Sequence, residues 1–207
     1  FYVQIFPFMP QIFSKISADN FQILVWKIEE PFAFFETFPA SWSTPTIENP
    51  IKKLESIAAR YCLHQLSPEF ESLVLVQNDR NRPYFQNSEW HISLTHSYPY
   101  VAAACSRQNR IGIDLEKPGR NIEKIAPRFL CPTELTKWKD ASNVLTLAWS
   151  AKESIYKAVG KPGLSFQKEI EIIDFDQNPS KAQLTTGEKI EVFWEEFTEF
   201  SLTVALL

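Results

Sequence analysis

Apolar and polar positions along the chain alternate in short extended runs interrupted by two long helical stripes. Residues 1–8 and 21–28 are apolar, aromatic-rich runs that predict strands, and the Pro- and Phe-rich stretch 31–50 predicts an irregular connection. After Asn49-Pro50, a cap and first-turn pair, apolar residues recur at Ile51, Leu54, Ile57, Ala58 and Tyr61. They form the stripe of an amphipathic helix running to about Leu66, with Arg60 near its edge. Three runs, 90–95, 100–106 and 110–116, are separated by Ser97-Tyr98-Pro99 and Arg107-Gln108-Asn109 and predict an antiparallel meander. A second helix is predicted from about Asn143 to Val159, with Ser142 or Asn143 as cap and Gly160 and Pro162 beyond its end. Residues 169–175, 189–197 and 200–207 predict further strands. Each half offers strands and a long helix, which makes the class α+β, with the halves meeting near residues 106–110.

Composition narrows the class. An apolar fraction of 44%, with 17 Phe and 6 Trp against 5 Gly in 207 residues, marks an ordered chain with a real core. A formal charge of −4 gives no field that would attract nucleic acid or an anionic membrane. Residues 1–9 lack a basic leader and are broken by Pro7 and Pro10, so they are expected to be a strand and not a signal peptide. No apolar run approaches the ~18 residues that would span a bilayer, so a soluble protein is expected. Three cysteines, Cys62, Cys105 and Cys131, cannot all pair and show no C-x-x-C spacing, which favours a reducing, cytoplasmic setting.

Three segments carry candidate chemistry. In Gly112-Ile113-Asp114-Leu115-Glu116 the strand period of two puts Asp114 and Glu116 on one face, about 7 Å apart. Paired hard oxygens with no His or Cys beside them suit Mg²⁺ and, through it, phosphate. In Trp149-Ser150-Ala151-Lys152-Glu153-Ser154-Ile155-Tyr156-Lys157 the helical period places Lys152 in the middle of an apolar arc, where an inward lysine needs an anionic partner. Glu153 and Lys157 lie one turn apart beside that arc and would also suit an ordinary salt bridge. The third segment, Ser93-Leu94-Thr95-His96-Ser97, gathers hydroxyls and an imidazole at a turn, which is phosphate-binding chemistry or simply a closed turn. Arg80 and Arg82 flank a bend held by Pro83.

Taken in order, these segments, together with Ile57-Ala58-Ala59-Arg60-Tyr61, Arg82-Pro83-Tyr84, Phe129 to Glu134 and Gly163-Leu164-Ser165, resemble the 4′-phosphopantetheinyl transferase superfamily. The likeness is to its larger single-chain type, named after the surfactin-synthetase activator, and spans roughly residues 51–165. Arg82 stands where a lysine is frequent and Thr95 where a serine is frequent; both keep the chemistry. The resemblance implies a pseudo-dimer of two similar α/β halves, 1–107 and 108–207, with antiparallel sheets and the active site in the cleft between them. It implies an enzyme that moves the phosphopantetheine arm of coenzyme A to a serine of an apo carrier protein. Asp114, Glu116 and Glu153 would hold Mg²⁺; His96 and Lys157 would contact the pyrophosphate; Arg60, Arg82 and Ser93 would hold the nucleotide end. Glu134 sits where the family has an acid near the metal, so Glu153 or Glu134 would accept the serine proton, and Lys152 would be a further phosphate or metal-site contact.

Carrier proteins of this class are acidic, so Arg120, Lys124, Arg128 and Lys137 are candidates for a docking face; a solvated basic surface explains them equally. A monomer is expected, with no nucleic acid or membrane partner. Two other readings use parts of the same motifs: a Mg²⁺-dependent phosphoesterase, and a catalytically silent module that binds coenzyme A or a carrier protein.

Overall fold

Asn49 and Pro50 open helix α1 (Pro50–Leu66) as the sequence predicts, the Asn49 side chain accepting from the Lys52 amide at 3.0 Å while Pro50 fills the first turn. The structure is a computed structural model that describes residues 11–16, 21–118, 121–139 and 141–207. The strand predicted over residues 1–8 lies outside that range. The described chain divides into two units, Phe1–Arg110 and Ile111–Leu207.

In the first unit, strands β1 (Gln11–Ile16), β2 (Phe21–Lys27), β5 (His91–Ser97) and β6 (Tyr100–Ser106) form an antiparallel sheet in the order β1-β2-β6-β5. β3 (Leu75–Gln77) and β4 (Pro83–Phe85) make a separate two-stranded ribbon. The core lies between α1 and the sheet, where Ile57, Ala58, Tyr61 and Cys62 meet Leu24, Trp26, Val101 and Ala103. Within the stretch expected to be irregular, a 3₁₀ turn (Phe32–Glu36) sends Phe35 under Trp26 in an edge-to-face contact. The sequence stripe of α1 is wider than predicted: residues 55–63 are all buried, while Ile51, placed on the stripe, is exposed.

In the second unit, β7 (Ile111–Glu116), β8 (Ile170–Ile172), β9 (Ser180–Leu184), β10 (Lys189–Glu196) and β11 (Ser201–Leu206) form an antiparallel sheet ordered β7-β11-β10-β9-β8. The expected meander therefore ends at β6, because β7 pairs with β11 and not with β6. Short helices α2 (Ile122–Phe129) and α3 (Pro132–Trp138) follow β7, then α4 (Ser142–Val159) and α5 (Phe166–Glu169). The cap of α4 falls at Ala141, one residue before the positions read from sequence, and its end is closed by Gly160 at φ 67°, the left-handed conformation glycine adopts without strain.

α4 rests directly on β7 and β11. A Cβ added at Gly112 would stand 1.9 Å from the Ser154 carbonyl oxygen, so only glycine lets strand and helix backbones approach this closely. Ser150 and Thr203 share a buried hydroxyl–hydroxyl hydrogen bond of 2.9 Å that pins α4 to β11. The molecule is a mixed α+β protein built on antiparallel sheets, and among the described residues no helix is long and apolar enough to cross a membrane.

Candidate functional site

The pleat of β7 and the register of α4 decide where the second unit's charged side chains go. Asp114 and Glu116 are two residues apart and both buried. Lys157, in the last turn of α4, donates to Asp114 Oδ1 at 2.7 Å and to the Ile113 carbonyl oxygen at 2.9 Å. The ammonium thus supplies the opposite charge that a buried carboxylate requires. Glu116 Oε1 accepts from the Trp149 indole nitrogen at 2.9 Å. Trp149 and Lys157 reach the acidic strand from positions two turns apart on α4. Glu153 lies between them in sequence and is half-buried.

Lys152 and Glu134 correct the sequence reading. Lys152 does point inward, at 0% exposure, but its three ammonium protons are all committed: to Glu134 Oε2 at 2.6 Å and to the carbonyl oxygens of Phe166 and Ile170 at 2.9 Å each. Burial draws the Lys152 pKa down, against the pull of the neighbouring Glu134 charge. Glu134 is equally committed. Its Oε2 also accepts the Cys131 amide and its Oε1 the Ile172 amide, each at 2.7 Å, so it closes the N-terminus of α3 and ties it to β8. A carboxylate 2% exposed and holding two amides and an ammonium has no room to take a proton from a substrate. This pair is a buried brace and not a phosphate contact and a base.

Among the described residues no three His, Cys, Asp or Glu side chains are gathered closely enough to hold a metal ion, so Asp114, Glu116 and Glu153 do not stand as a formed triad. The donor chemistry still fits a hard cation: two buried carboxylates share one strand face, and a third is carried by the helix packed on that strand.

The first unit holds a cavity of about 690 Å³, within the usual range for small-ligand sites. It is lined by Ser56 and Arg60 from α1, Leu94 and His96 from β5, Thr44 and Thr46 from the preceding loop, and Gln77 and Asn81 near the ribbon. Arg60 is 3% exposed. Its Nε donates to the Ser43 carbonyl oxygen at 3.0 Å, and Nη1 donates to the carbonyl oxygen and hydroxyl of Ser56 at 3.0 and 2.7 Å. Among the described residues no carboxylate pairs with it. Burial lowers its pKa to about 10, which leaves the guanidinium charged at neutral pH. A buried cation held by neutral acceptors on the wall of a cavity has the charge to receive an anion.

Of the other residues expected with Arg60, only His96 lines this cavity. Strand alternation sends Leu94 and His96 to it and Ser93, which is buried, to the opposite face of β5. Arg82 is half-buried beside the cavity-lining Asn81 and Pro83, with its amide bonded to Asn78 Oδ1 at 3.0 Å. Lys124 and Arg128 are exposed one turn apart on α2, and Lys137 donates to the Ile173 carbonyl oxygen at 2.9 Å from α3. Arg120 lies outside the described residues.

Two residues escaped the sequence reading. Trp149 was placed only in the apolar arc of α4, although its indole N–H is a donor that a buried tryptophan satisfies. Glu55 falls off the stripe of α1 by about 100° from Leu54 and carried no signal, yet it is wholly buried.

Comparison with known proteins adds to this picture. Residues 110–205 match the model of the 4′-phosphopantetheinyl transferase superfamily. The chain is 31% identical over 106 residues to the 4′-phosphopantetheinyl transferase HetI of Nostoc sp.. That overlap takes in 48% of this chain and 44% of the relative, so the chain spans less than half the length of the curated relative it matches. The crystal structure of holo-ACP-synthase from Plasmodium yoelii aligns with 46% of this chain and 91% of its own, at 23% identity and a TM-score of 0.37. The family match falls on the unit that carries Asp114, Glu116, Glu153 and Lys157, and it is this unit that is similar to the 4′-phosphopantetheinyl transferase superfamily.

Proposed function

We propose that this protein transfers the 4′-phosphopantetheine arm of coenzyme A to a serine of an apo carrier protein, releasing adenosine 3′,5′-bisphosphate. The observation that carries the reading is Arg60: a buried guanidinium without a carboxylate partner among the described residues, on the wall of a cavity sized for a nucleotide. The superfamily match of the other unit supplies the reaction class.

In this reading the serine oxygen attacks the β-phosphorus of coenzyme A, the bond from that phosphorus to the bridging oxygen breaks, and the electron pair leaves on the α-phosphate. Such transfers are accelerated by positioning and by neutralising charge on oxygens. Arg60 and His96 bind the phosphates of coenzyme A in the cavity, with Arg82 at its edge. Lys157, already held beside Asp114, offers an ammonium to the oxygens that gain charge. Asp114 and Glu116, joined by Glu153, would hold Mg²⁺, which when bound supplies charge neutralisation at the pyrophosphate. Glu153 accepts the serine proton, since Glu134 is withdrawn into its brace.

The surfactin-activator subtype belongs to this proposal, as does a pseudo-dimeric relation of the halves; its support is that each unit repeats the plan of an antiparallel sheet carrying a long helix. The carrier would dock on a basic surface that includes the exposed Lys124 and Arg128. The three free cysteines are in keeping with a reducing, cytoplasmic setting, and a monomer is part of the same proposal. The test is chromatographic: incubation with coenzyme A, Mg²⁺ and a panel of apo carrier proteins should release one adenosine 3′,5′-bisphosphate per carrier. Release in the absence of any carrier would point to a phosphoesterase, and tight coenzyme A binding without release to a silent module.

A further inference from the structure

Strand β8 lies at the edge of the second unit's sheet, with β9 as its partner. An antiparallel strand turns the N–H and C=O of successive residues to opposite sides. The Thr185 amide donates to the Glu169 carbonyl oxygen at 3.1 Å, and the Ile173 amide donates to that of Lys181 at 2.8 Å. Residues 169, 171 and 173 therefore face β9, and Ile170 and Ile172 turn their backbone groups outward. An edge of this kind offers backbone donors and acceptors to any other strand. In β8 they are already engaged. The Ile172 amide donates to Glu134 Oε1 at 2.7 Å, and the Ile170 carbonyl oxygen accepts from Lys152 Nζ at 2.9 Å. Glu134 Oε2 and Lys152 Nζ are themselves joined at 2.6 Å, so acceptor and donor form one continuous link beside the strand.

The two outward groups that flank Glu171 need one acceptor and one donor, the pair that a single residue of a parallel neighbouring strand would supply. The carboxylate from α3 and the ammonium from α4 supply the same two. Stability of the core does not by itself call for an ion pair here, because apolar side chains of similar volume often serve as well or better. Apolar side chains cannot bond to the strand, and a buried backbone group left without a partner is costly. Further bonds run from α3 to the same stretch: Thr133 donates to Glu171 Oε1 at 3.1 Å and Lys137 to the Ile173 carbonyl oxygen at 2.9 Å.

We propose that the Lys152–Glu134 pair stands in for a missing strand: it occupies the outward hydrogen-bonding groups of β8 and so closes this edge to pairing with a second copy of the chain. An opened edge would be the same on every copy, so a two-fold pairing of β8 with β8 would satisfy both at once. Because β8 is three residues long, that pairing should be a reversible dimer.

Amide hydrogen exchange by NMR and sedimentation velocity, both on the full chain, test this. In wild-type protein the Ile172 amide should exchange at least about a hundredfold more slowly than an open-chain amide, and the mass should not rise with concentration. A freely exchanging wild-type Ile172 amide overturns the proposal, and this arm decides even if the variants do not fold. Lys152→Met combined with Glu134→Met keeps two side chains of similar size and removes both donor and acceptor. The folded double variant should lose protection at Ile172 at low concentration and regain it as a dimer forms at higher concentration. A double variant that stays monomeric throughout, or whose Ile172 amide stays protected in the monomer, overturns the proposal. Ser150→Ala is the control, since it loosens α4 from Thr203 without touching β8, and it should stay monomeric. Association of that variant to the same extent as the double variant would trace the dimer to general destabilisation and sink the idea.

Discussion

The Lys152 ammonium stands 2.6 Å from Glu134 Oε2, with both side chains shut away from solvent. The pair joins the middle of α4 to the start of α3, and Glu134 carries the link on to β8 through the Ile172 amide. Removing one member leaves an uncompensated buried charge, so Lys152→Ala or Glu134→Ala should each cost about 3–5 kcal/mol of stability. Lys152→Ala combined with Glu134→Ala should cost less than the two single changes added together. Denaturant unfolding of the three variants checks this, and simple additivity would contradict the brace. Glu134→Gln that stays folded should retain most of its turnover, which separates a brace from a base.

Gly112 makes a second demand of the same helix. Alanine there would meet the Ser154 carbonyl oxygen and the Ala158 amide nitrogen, neither of which can rotate away. Gly112→Ala should destabilise the protein by about 3 kcal/mol through overpacking. It should also weaken the contact of Lys157 with Asp114, because that ion pair spans the same strand and helix. Thermal unfolding beside a transfer assay measures both effects.

These two findings show how far the sequence could be read. The cap at Asn49, the glycine closing α4, the paired acids of β7 and the inward Lys152 were legible because each depends on local geometry: a turn chemistry, a period of two or a period of 3.6. The partner of Lys152 was not, because Glu134 arrives from a helix of seven residues that has too few turns to show a period. α2 was hidden in the same way, with Pro127 inside it acting as a breaker signal. Strand pairing was the other blind spot. β7 follows β6 after a short turn and reads as its hairpin partner, yet long-range pairing with β11 wins. Glu55 and Ser93 show the same limit at the level of side chains: neither burial on the polar side of a stripe nor the face of a strand that meets a cavity can be read without the neighbouring elements.

Arg60 ties stability to binding in a way that mutation can separate. Arg60→Met keeps much of the side-chain volume and removes the buried charge. Charged hydrogen bonds are worth about 1.5–3 kcal/mol each, so coenzyme A should bind roughly ten- to a hundredfold more weakly. The same change removes a desolvated cation, so the ligand-free protein should lose little stability. Calorimetry and thermal unfolding read the two quantities. A large loss of stability with unaltered affinity would make Arg60 a structural residue.

The cysteines allow a check on the core. Cys62 and Cys105 are wholly buried on either side of the α1–sheet contact, and burial pushes the Cys105 thiol up to about 12 and the Cys62 thiol higher still, with the Glu30 charge adding to the rise at Cys62. Cys131 is partly exposed before α3. A thiol reagent should therefore modify Cys131 alone in the native protein and all three cysteines in denaturant. Peptide mapping after brief labelling identifies the site, and rapid reaction at Cys62 would contradict the packing of α1.

The central claim is that this chain moves phosphopantetheine, and intact-mass spectrometry of an apo carrier protein tests it most directly. Carrier incubated with the wild-type chain, coenzyme A and Mg²⁺ should gain the mass of one phosphopantetheine, and carrier incubated with Asp114→Asn, with Glu153→Gln or in the presence of a chelator should gain none over the same time. Carriers of fatty-acid, polyketide and nonribosomal-peptide type that all keep their original mass, with wild-type protein that binds coenzyme A, would contradict the account.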